Sequence, residues 1–416
     1  METKEIIQFV SAGFDKAKAG AAVEVYASIV NNPDMRVLPL KSHYPFGWII
    51  YYALHQSPAH AIRERKQLLA NYLSLNVAKP HKLHSMILTE AFRLYKDASD
   101  AATAVRLKSL SKQESEIPAF SIVKFVDLWN FAHIRPTDWN RKEHEGKLLP
   151  STVEKLITHY TDELYSKRLP ASEEFIGIIN QALVAYPPTA NLFAQRAQIH
   201  ELAGEKVEAV EMLRNAILAS STKFHLWSRL ANLITDKDDL RLKVSLNYKA
   251  LRCPGQEDFK GKIHLQLAAA LAEGGAFPQA KWELDYVKNL YGSKGWNLPR
   301  LYKETEKKMP SDIEAADPSG IYRKVEHMAE DFIYESLPEI PVRKTYHKPG
   351  TETTDRYGKR RPGQTAWRVT DAEGNNYWFN PGRYGIPEEL PADTQLAVKI
   401  FGGKVVKARA VITIVR

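Results

Sequence analysis

The sequence has 416 residues, of which 44% are hydrophobic and 26% charged, and its formal net charge is +9. This length allows about two to four domains. No apolar run reaches the roughly 18 residues that a membrane-spanning helix needs, and the first residues lack the basic-then-apolar order of a signal peptide. The single cysteine, Cys253, excludes an internal disulfide and fits a reducing compartment. We therefore expect a cytoplasmic protein without a membrane segment.

Residues 1–115 predict a helical region, which is either the start of the chain's helical repeats in degenerate form or a separate helical domain. Within it Leu83, Ile87, Ala91 and Leu94 fall on one face of a helix.

Four histidines cluster between residues 55 and 84: His55, His60, His81 and His84. They lack the cysteine or carboxylate company that metal sites usually have. We expect solvated or helix-capping histidines, with no metal and no other cofactor.

Residues 116–155 predict an aromatic and charged connector. One hypothesis makes its Asp127, His133, Asp138 and His144 the centre of a hydrolase or nuclease. The alternative is a connector that tryptophans anchor and whose charges pair locally. We favour the alternative, because no nucleophile elbow, HExxH, P-loop or GxGxxG motif accompanies these residues. The chain is therefore not expected to be an enzyme, and no catalytic residue is assigned.

Residues 190–221 predict a pair of packed helices. The first helix offers bulky Phe193 and small Ala197, Gly204 marks the turn, and Ala209 is the small residue of the second helix. Small residues let two helices approach closely, while larger ones fill the groove beside them. This pattern resembles the tetratricopeptide repeat (TPR), a helix pair of about 34 residues.

The neighbouring segments repeat the pattern at similar spacing. Ala231 and Ala250 occupy the small positions of the next unit, and Ala268 and Ala280 those of a third. Stacked repeats bury a continuous core that one unit cannot. Residues 156–310 are therefore predicted to be TPR-like repeats, and 311–340 a capping helix.

Positive charge is concentrated near the C-terminus. Residues 341–416 contain 14 Lys and Arg against 7 Asp and Glu, so they carry +7 of the total charge. Such asymmetry indicates one region that meets a polyanion. Its first part, residues 341–362, is basic, rich in proline and aperiodic, which predicts a linker.

Residues 363–416 show the period of two that is typical of strands. Two hairpins are predicted, one of them around Gly402–Gly403. On the last strand Val406, Ala408, Ala410, Ile412 and Ile414 are expected to face inward, and Lys407 and Arg409 outward. Strands this short bury a core most easily by curling into a small barrel.

The order of features here resembles the second half of OB-type domains of the cold-shock and S1-like group. An aromatic hairpin (Tyr377–Phe379) precedes Pro391–Asp393, a strand, the Gly402–Gly403 turn and Lys407–Val411. The resemblance covers roughly the last 50 residues and implies binding of RNA or single-stranded DNA. In such domains bases stack on exposed aromatic rings while Lys and Arg follow the backbone.

The candidate nucleic-acid-binding residues are Lys359, Arg360, Arg361, Trp367, Arg368, Tyr377, Phe379, Arg383, Tyr384, Lys407 and Arg409. The alternative for the aromatic members is barrel core. Trp367 shares a strand face with Val369, and Tyr377 shares one with Phe379.

The chain is thus predicted to be mainly α, a TPR-like helical solenoid followed by a small all-β, OB-like barrel. The segment Ile134–Trp139 before the repeats resembles that of uncharacterised bacterial TPR proteins from stress-response and phage-defence operons. We expect a non-enzymatic adaptor that binds a protein partner in the solenoid groove and nucleic acid on the barrel. The groove candidates are Asn191, Gln195, Gln198, Trp227, Arg229, Asn232, His264 and Gln266. The alternative is a protein–protein scaffold whose basic barrel docks on an acidic partner.

Overall fold

The structure, a computed structural model, describes residues 1–78, 80–108, 119–234, 239–350, 353–354, 360–361, 363, 365–387, 390 and 395–411. For residues 103–108, 353–354 and 360–361 only the backbone is described. The chain divides into two compact units, Met1–Ala185 and Tyr186–Arg416. In the described residues, no helix combines the length and the apolarity that crossing a membrane requires.

The described residues of the first unit form helices and one short hairpin. Its helices are α1 (Thr3–Lys16), α2 (Ala22–Val30), α3 (Leu40–Gln56), α4 (Ile62–Leu73), α5 (Lys82–Lys108), α6 (Ile122–Trp129), α7 (Thr152–Lys167) and α8 (Glu173–Ala185). The hairpin, β1 (Lys142–His144) with β2 (Lys147–Leu149), lies between α6 and α7 in the chain.

Helix α5 shows the face that its sequence predicts. Leu83, Ile87, Ala91 and Leu94 are each 0% exposed, as residues spaced three and four apart on one buried stripe should be.

The second unit begins with a series of helices. They are α9 (Ala190–Ala203), α10 (Lys206–Ala219), α11 (Phe224–Leu233), α12 (Leu240–Arg252), α13 (Gly261–Glu273), α14 (Phe277–Lys294), α15 (Arg300–Glu306) and α16 (Ser319–Tyr334). α9 packs with α10, α11 with α12, and α13 with α14. The small positions identified in the sequence are fully buried: Ala197, Ala209, Ala231, Ala250, Ala268 and Ala280. The prediction of a mainly α chain is confirmed, and in this series neighbouring helices pack in pairs.

The turn between α9 and α10 shows why glycine is needed there. Gly204 has φ 78°, and its N–H closes the end of α9 on the carbonyls of His200 and Glu201. This left-handed conformation is easy for glycine and costly for other residues. The second helix of the pair can therefore begin only two residues later.

Helix α16 crosses more than one helix pair. It packs against α12, where the Ala329 N–H donates to Ser245 Oγ at 2.9 Å. Its Tyr322 hydroxyl donates to Glu283 of α14, a fully buried carboxylate that also pairs with His264 Nδ1 of α13 at 2.6 Å. Buried polar groups of this kind stabilise a fold only when each is paired. This network fixes α16 against three helices.

A five-stranded antiparallel sheet completes the unit. Its strands are β3 (Ile340–Lys348), β6 (Ala366–Asp371), β7 (Asn376–Phe379), β8 (Gln395–Phe401) and β9 (Lys404–Ala410), in the order β7-β6-β3-β8-β9. A separate ladder joins β4 (Thr353–Thr354) to β5 (Arg360–Arg361). The small C-terminal β domain is thus confirmed, and the sheet curls into a half-barrel; among the described residues no ladder pairs its edge strands β7 and β9.

The central strand β3 comes from the segment expected to be a linker. The expectation for residues 341–362 is corrected, because β3 pairs with β6 on one side and β8 on the other. The sequence of β3 does not show the apolar alternation of a strand, because Lys344 occupies an inward position. The Lys344 ammonium lies 4.0 Å from the centre of the Trp367 ring, so a cation–π contact takes the place of apolar packing.

A bulge in the β8–β9 ladder changes which residues of β9 face inward. Lys399 pairs with Lys407 but Ile400 pairs with Val405, which leaves one residue of β9 over. Val405 and Ala408 consequently lie in the sheet's core, and Val406 packs against the helical core instead. The expected inward direction of Val406 is wrong, because strict alternation assumes a ladder without an extra residue. Ile412 and Ile414 lie outside the described residues.

Candidate nucleic-acid interface

The exposed face of the sheet carries one row of three side chains across neighbouring strands. Tyr346 of β3 pairs with Arg368 of β6, and Arg368 pairs with Trp378 of β7. Arg368 and Trp378 point outward because their strand neighbours Trp367 and Phe379 are buried and successive side chains alternate between the two faces. Tyr346 lies on the same face, since its ring contacts both of them. We call these three residues the aromatic row.

The rings of the aromatic row are open to solvent. Tyr346 is 49% and Trp378 50% exposed. Their ring centres are 5.8 Å apart at an interplanar angle of 73°, an edge-to-face contact. The Arg368 guanidinium lies 5.6 Å from the centre of the Tyr346 ring. Exposed aromatic faces beside an arginine can accept stacked bases and a phosphate at the same time.

Hydroxyl groups border this row on the same face. Thr345 and Thr370 are 3.1 Å apart through their Oγ1 atoms, and the Thr370 hydroxyl donates to Asn376 Oδ1 at 2.8 Å. Beyond them, a hydrogen bond from the Asn375 side chain lowers the pKa of Asp371, whose carboxylate also accepts from the backbone of the turn. These contacts hold the β6–β7 turn in a fixed shape beside the row.

The aromatic candidates chosen from the sequence lie on the opposite side of the sheet. Trp367 is 0% and Phe379 7% exposed, in the core of the half-barrel. Tyr377 and Tyr384 are half-buried against the same core. Tyr384 donates to the carbonyl of Val405 at 2.8 Å, and burial raises its pKa. The structure therefore corrects Trp367 and Phe379 as stacking surfaces, since their faces are covered.

Tyr346 and Trp378 were missed as candidates for two different reasons. Tyr346 lies in residues 341–362, which the sequence predicts to be a linker. Trp378 is the outward neighbour of two residues whose shared face was recognised, so alternation alone points to it.

The basic candidates from the sequence lie on different parts of the second unit. Arg368 belongs to the aromatic row, whereas Arg383 and Lys407 line a cleft beside α12 and α16. Arg409 is committed to Glu339 through two hydrogen bonds of 2.6 and 3.1 Å, and this pairing lowers the pKa of Glu339. Arg360 and Arg361 form β5, and their side chains are not described; Lys359 lies outside the described residues.

Most of the groove candidates on the helices are engaged inside the unit. Trp227 is fully buried, Gln266 accepts from Ser228 at 2.6 Å, and His264 pairs with Glu283. Arg229 is bound to Glu201 at 2.5 Å. Gln195 is buried and Gln198 half-buried, while Asn191 and Asn232 are exposed. The eight residues thus do not line one open groove, because their helix faces pack against neighbouring helices.

The four residues of the hydrolase hypothesis have different partners in the first unit and do not form one cluster. Asp127 accepts from the Tyr160 hydroxyl at 2.7 Å, and Asp138 pairs with Arg135 at 2.9 Å. His133 is buried, with Nδ1 bonded to the Trp129 carbonyl, whereas His144 lies on the exposed hairpin. These contacts give Asp127, Asp138 and His133 local structural roles, and His144 lies apart from them.

The four histidines between residues 55 and 84 also make different contacts. His55 pairs with Glu90 at 3.0 Å, and His84 with the Tyr72 hydroxyl at 2.6 Å. His81 Nδ1 accepts from the Leu83 N–H at the start of α5, and His60 lies in the turn before α4. In the part of the chain that the structure describes, no three His, Cys, Asp or Glu side chains are placed to hold a metal ion.

Comparison with known proteins identifies one matching family model. It is described as a domain of unknown function (DUF7017) and matches residues 194–329, about a third of the chain. The match runs from α9 into α16 and stops before the sheet. No curated protein matches the chain. The chain is therefore similar to this family over the helices of its second unit.

Proposed function

We propose that the protein is a non-enzymatic adaptor whose sheet binds single-stranded RNA or DNA on the aromatic row. The observation that carries this proposal is the row itself, two half-exposed rings with an arginine between them on one face. Every base offers a flat face, and a base stacked on an aromatic side chain contributes about 1–3 kcal/mol without sequence preference. The +7 charge of residues 341–416 favours approach of a polyanion.

The expected OB-type resemblance supports the same function. In that group an aromatic strand face binds bases, and here a curled five-stranded sheet presents such a face.

The helices would supply the second half of the adaptor by binding a protein partner, as TPR-like repeats do. An exposed aromatic surface beside α13 and α14 supports this part of the proposal. Phe259 is 65% and Trp296 40% exposed, and the ion pair of Asp258 with Lys294 at 2.7 Å joins their segments. Aromatic side chains framed by charges are typical of protein interfaces. A cytoplasmic role in bacterial stress response or phage defence belongs to the same proposal.

The test is fluorescence anisotropy of the full chain with labelled oligo-U and oligo-dT. Tyr346→Ala combined with Trp378→Ala should weaken binding about 30-fold or more, since two stacking contacts are lost. The control, Phe259→Ala with Trp296→Ala, removes two exposed rings away from the sheet and should bind like the wild type. Equal binding by both double variants, or no binding by the wild type at low salt, would refute the proposal and favour a protein–protein scaffold.

A further inference from the structure

A cleft within the second unit collects positive side chains from the helices as well as from the sheet. Lys249 and Arg252 come from the last turn of α12, Arg383 from the 3₁₀ turn after β7, and Lys407 from β9. Lys404, at the start of β9, lines the adjoining depression. We call these five residues the basic cleft.

The basic cleft adjoins one residue of the aromatic row, Trp378. The depression that contains Lys404 also has Trp378 in its wall, and it shares Arg383 and Tyr384 with the depression that contains Lys249. A strand leaving Trp378 would therefore pass Arg383 before it reaches α12.

Three carboxylates of α16 face the same cations. Glu330 pairs with Lys249 and Glu326 with Arg252, while Lys407 lies 3.8 Å from Glu330 and 3.9 Å from Asp331. Among these eight side chains, five cations against three carboxylates leave a net charge of +2.

Two members of the basic cleft have no acidic partner among the described residues. Arg383 donates to Ser221 Oγ at 3.2 Å and lies 5.9 Å from the centre of the Tyr384 ring, and Lys404 is exposed. The paired cations keep spare donors as well, since an ammonium has three N–H groups and a guanidinium five. The carboxylates consequently orient Lys249 and Arg252 without using all of their hydrogen-bonding capacity.

We infer that the basic cleft binds the phosphate backbone of the same strand whose bases stack on the aromatic row, so that α12 takes part in nucleic-acid binding. This inference rests on the proposed function. It differs from a division of labour in which the sheet alone contacts nucleic acid and the helices contact only protein.

A competing role for these charges is to hold the sheet against α16. Neutral double variants separate the two roles. Arg252→Gln with Glu326→Gln removes one ion pair of the cleft without changing the net charge. Arg300→Gln with Glu304→Gln removes an exposed pair (Nε to Oε1, 2.6 Å) on α15 in the same way, and this serves as the matched control.

The experiment measures the affinity of the full chain for labelled oligo-U across a salt series of about 50–200 mM. The plot of log affinity against log salt has a negative slope, and each lost phosphate contact makes this slope shallower by about 0.7 for a single strand. The Arg252/Glu326 variant should show this change, and the Arg300/Glu304 variant should not. Arg383→Gln, which leaves no carboxylate unpaired, should make the slope shallower by the same amount.

Three outcomes distinguish the hypotheses. A slope unchanged in both cleft variants, while Trp378→Ala still weakens binding, overturns the inference and leaves the proposed function standing. If the wild type does not bind oligo-U, both the inference and the proposed function are refuted. A shallower slope confined to the cleft variants, with melting temperatures equal to that of the control, supports the inference.

Discussion

The guanidinium of Arg368 lies 5.6 Å from the centre of the Tyr346 ring, its direct partner on the neighbouring strand. A cation held over an aromatic face is oriented as well as charged. Arg368 therefore presents its remaining N–H groups at a defined place between two exposed rings.

Substitutions of Arg368 should separate its charge from its planar shape. Arg368→Gln removes the charge, so we expect weaker oligo-U binding and a salt slope reduced by about 0.7. Arg368→Lys keeps the charge but loses the planar group that stacks on Tyr346. It should retain the salt slope and show an intermediate affinity, and equal behaviour of the two variants in anisotropy would contradict this.

The two neighbouring tryptophans should differ sharply in their effect on stability. Trp367→Ala empties the core of the half-barrel and should cost about 3–5 kcal/mol. Trp378→Ala removes a half-exposed ring and should cost less than about 1 kcal/mol. Hydrogen exchange at the amides of β8 measures both, and similar losses of protection would show that Trp378 is structural.

The Gly402–Gly403 turn offers a matched pair of substitutions. Both glycines have positive φ, 54° and 73°, so alanine strains the backbone at either position by about 1–2 kcal/mol. A Cβ on Gly402 would also lie 2.8 Å from Pro188 Cγ, whereas a Cβ on Gly403 meets nothing within 4 Å. Gly402→Ala should therefore lower the melting temperature more than Gly403→Ala, and equal shifts would argue against the contact with Pro188.

Removal of the buried carboxylate Glu283 should weaken the packing of α16. Glu283→Ala leaves His264 and Tyr322 without their acceptor and should cost about 3–5 kcal/mol, as the loss of one partner of a buried pair does. Tyr322→Phe keeps the ring and removes one hydrogen bond, at about 1–3 kcal/mol. Urea unfolding of the full chain should rank the two variants in this order.

His159 should make the first unit less stable in mild acid. Burial lowers the pKa of His159 below its ordinary value of 6.5, with the charge of Asp162 opposing the shift. As the pH falls, His159 therefore gains a proton in the unfolded chain before it does so in the folded chain. Protonation of His159 thus favours unfolding, and the free energy of unfolding decreases as the pH falls below about 6.5. His159→Gln should reduce the difference between urea midpoints at about pH 7.5 and pH 5.5; an unchanged difference would assign it to other groups.

The helix pairs could be predicted because their signal is local. Residues such as Ala197 and Gly204 occupy positions that only a close helix crossing and a left-handed turn require, and both have those roles in the structure.

The sheet was only partly predictable because one strand hides its pattern. β3 has a lysine where alternation expects an apolar side chain, and the compensating ring, Trp367, is 23 residues away in the chain. Because β3 is not predicted, the exposed position of Tyr346 on it is not predicted either.

The basic cleft could not be predicted from the sequence at all. Lys249 and Arg252 lie on a helix whose local charge is ordinary, and more than 130 residues separate them from Arg383. Only the packing of the sheet beside α12 and α16 brings these side chains to one place.

The position of β3 has a practical consequence for dissecting this protein. Only residues 335–339 separate α16 from β3, the strand at the centre of the sheet. A fragment that starts at residue 363 would lack that strand and leave β6 and β8 with unpaired edges, which invite intermolecular pairing. Such a fragment should aggregate, and its failure to bind oligonucleotides would reveal nothing about the surface of the intact chain.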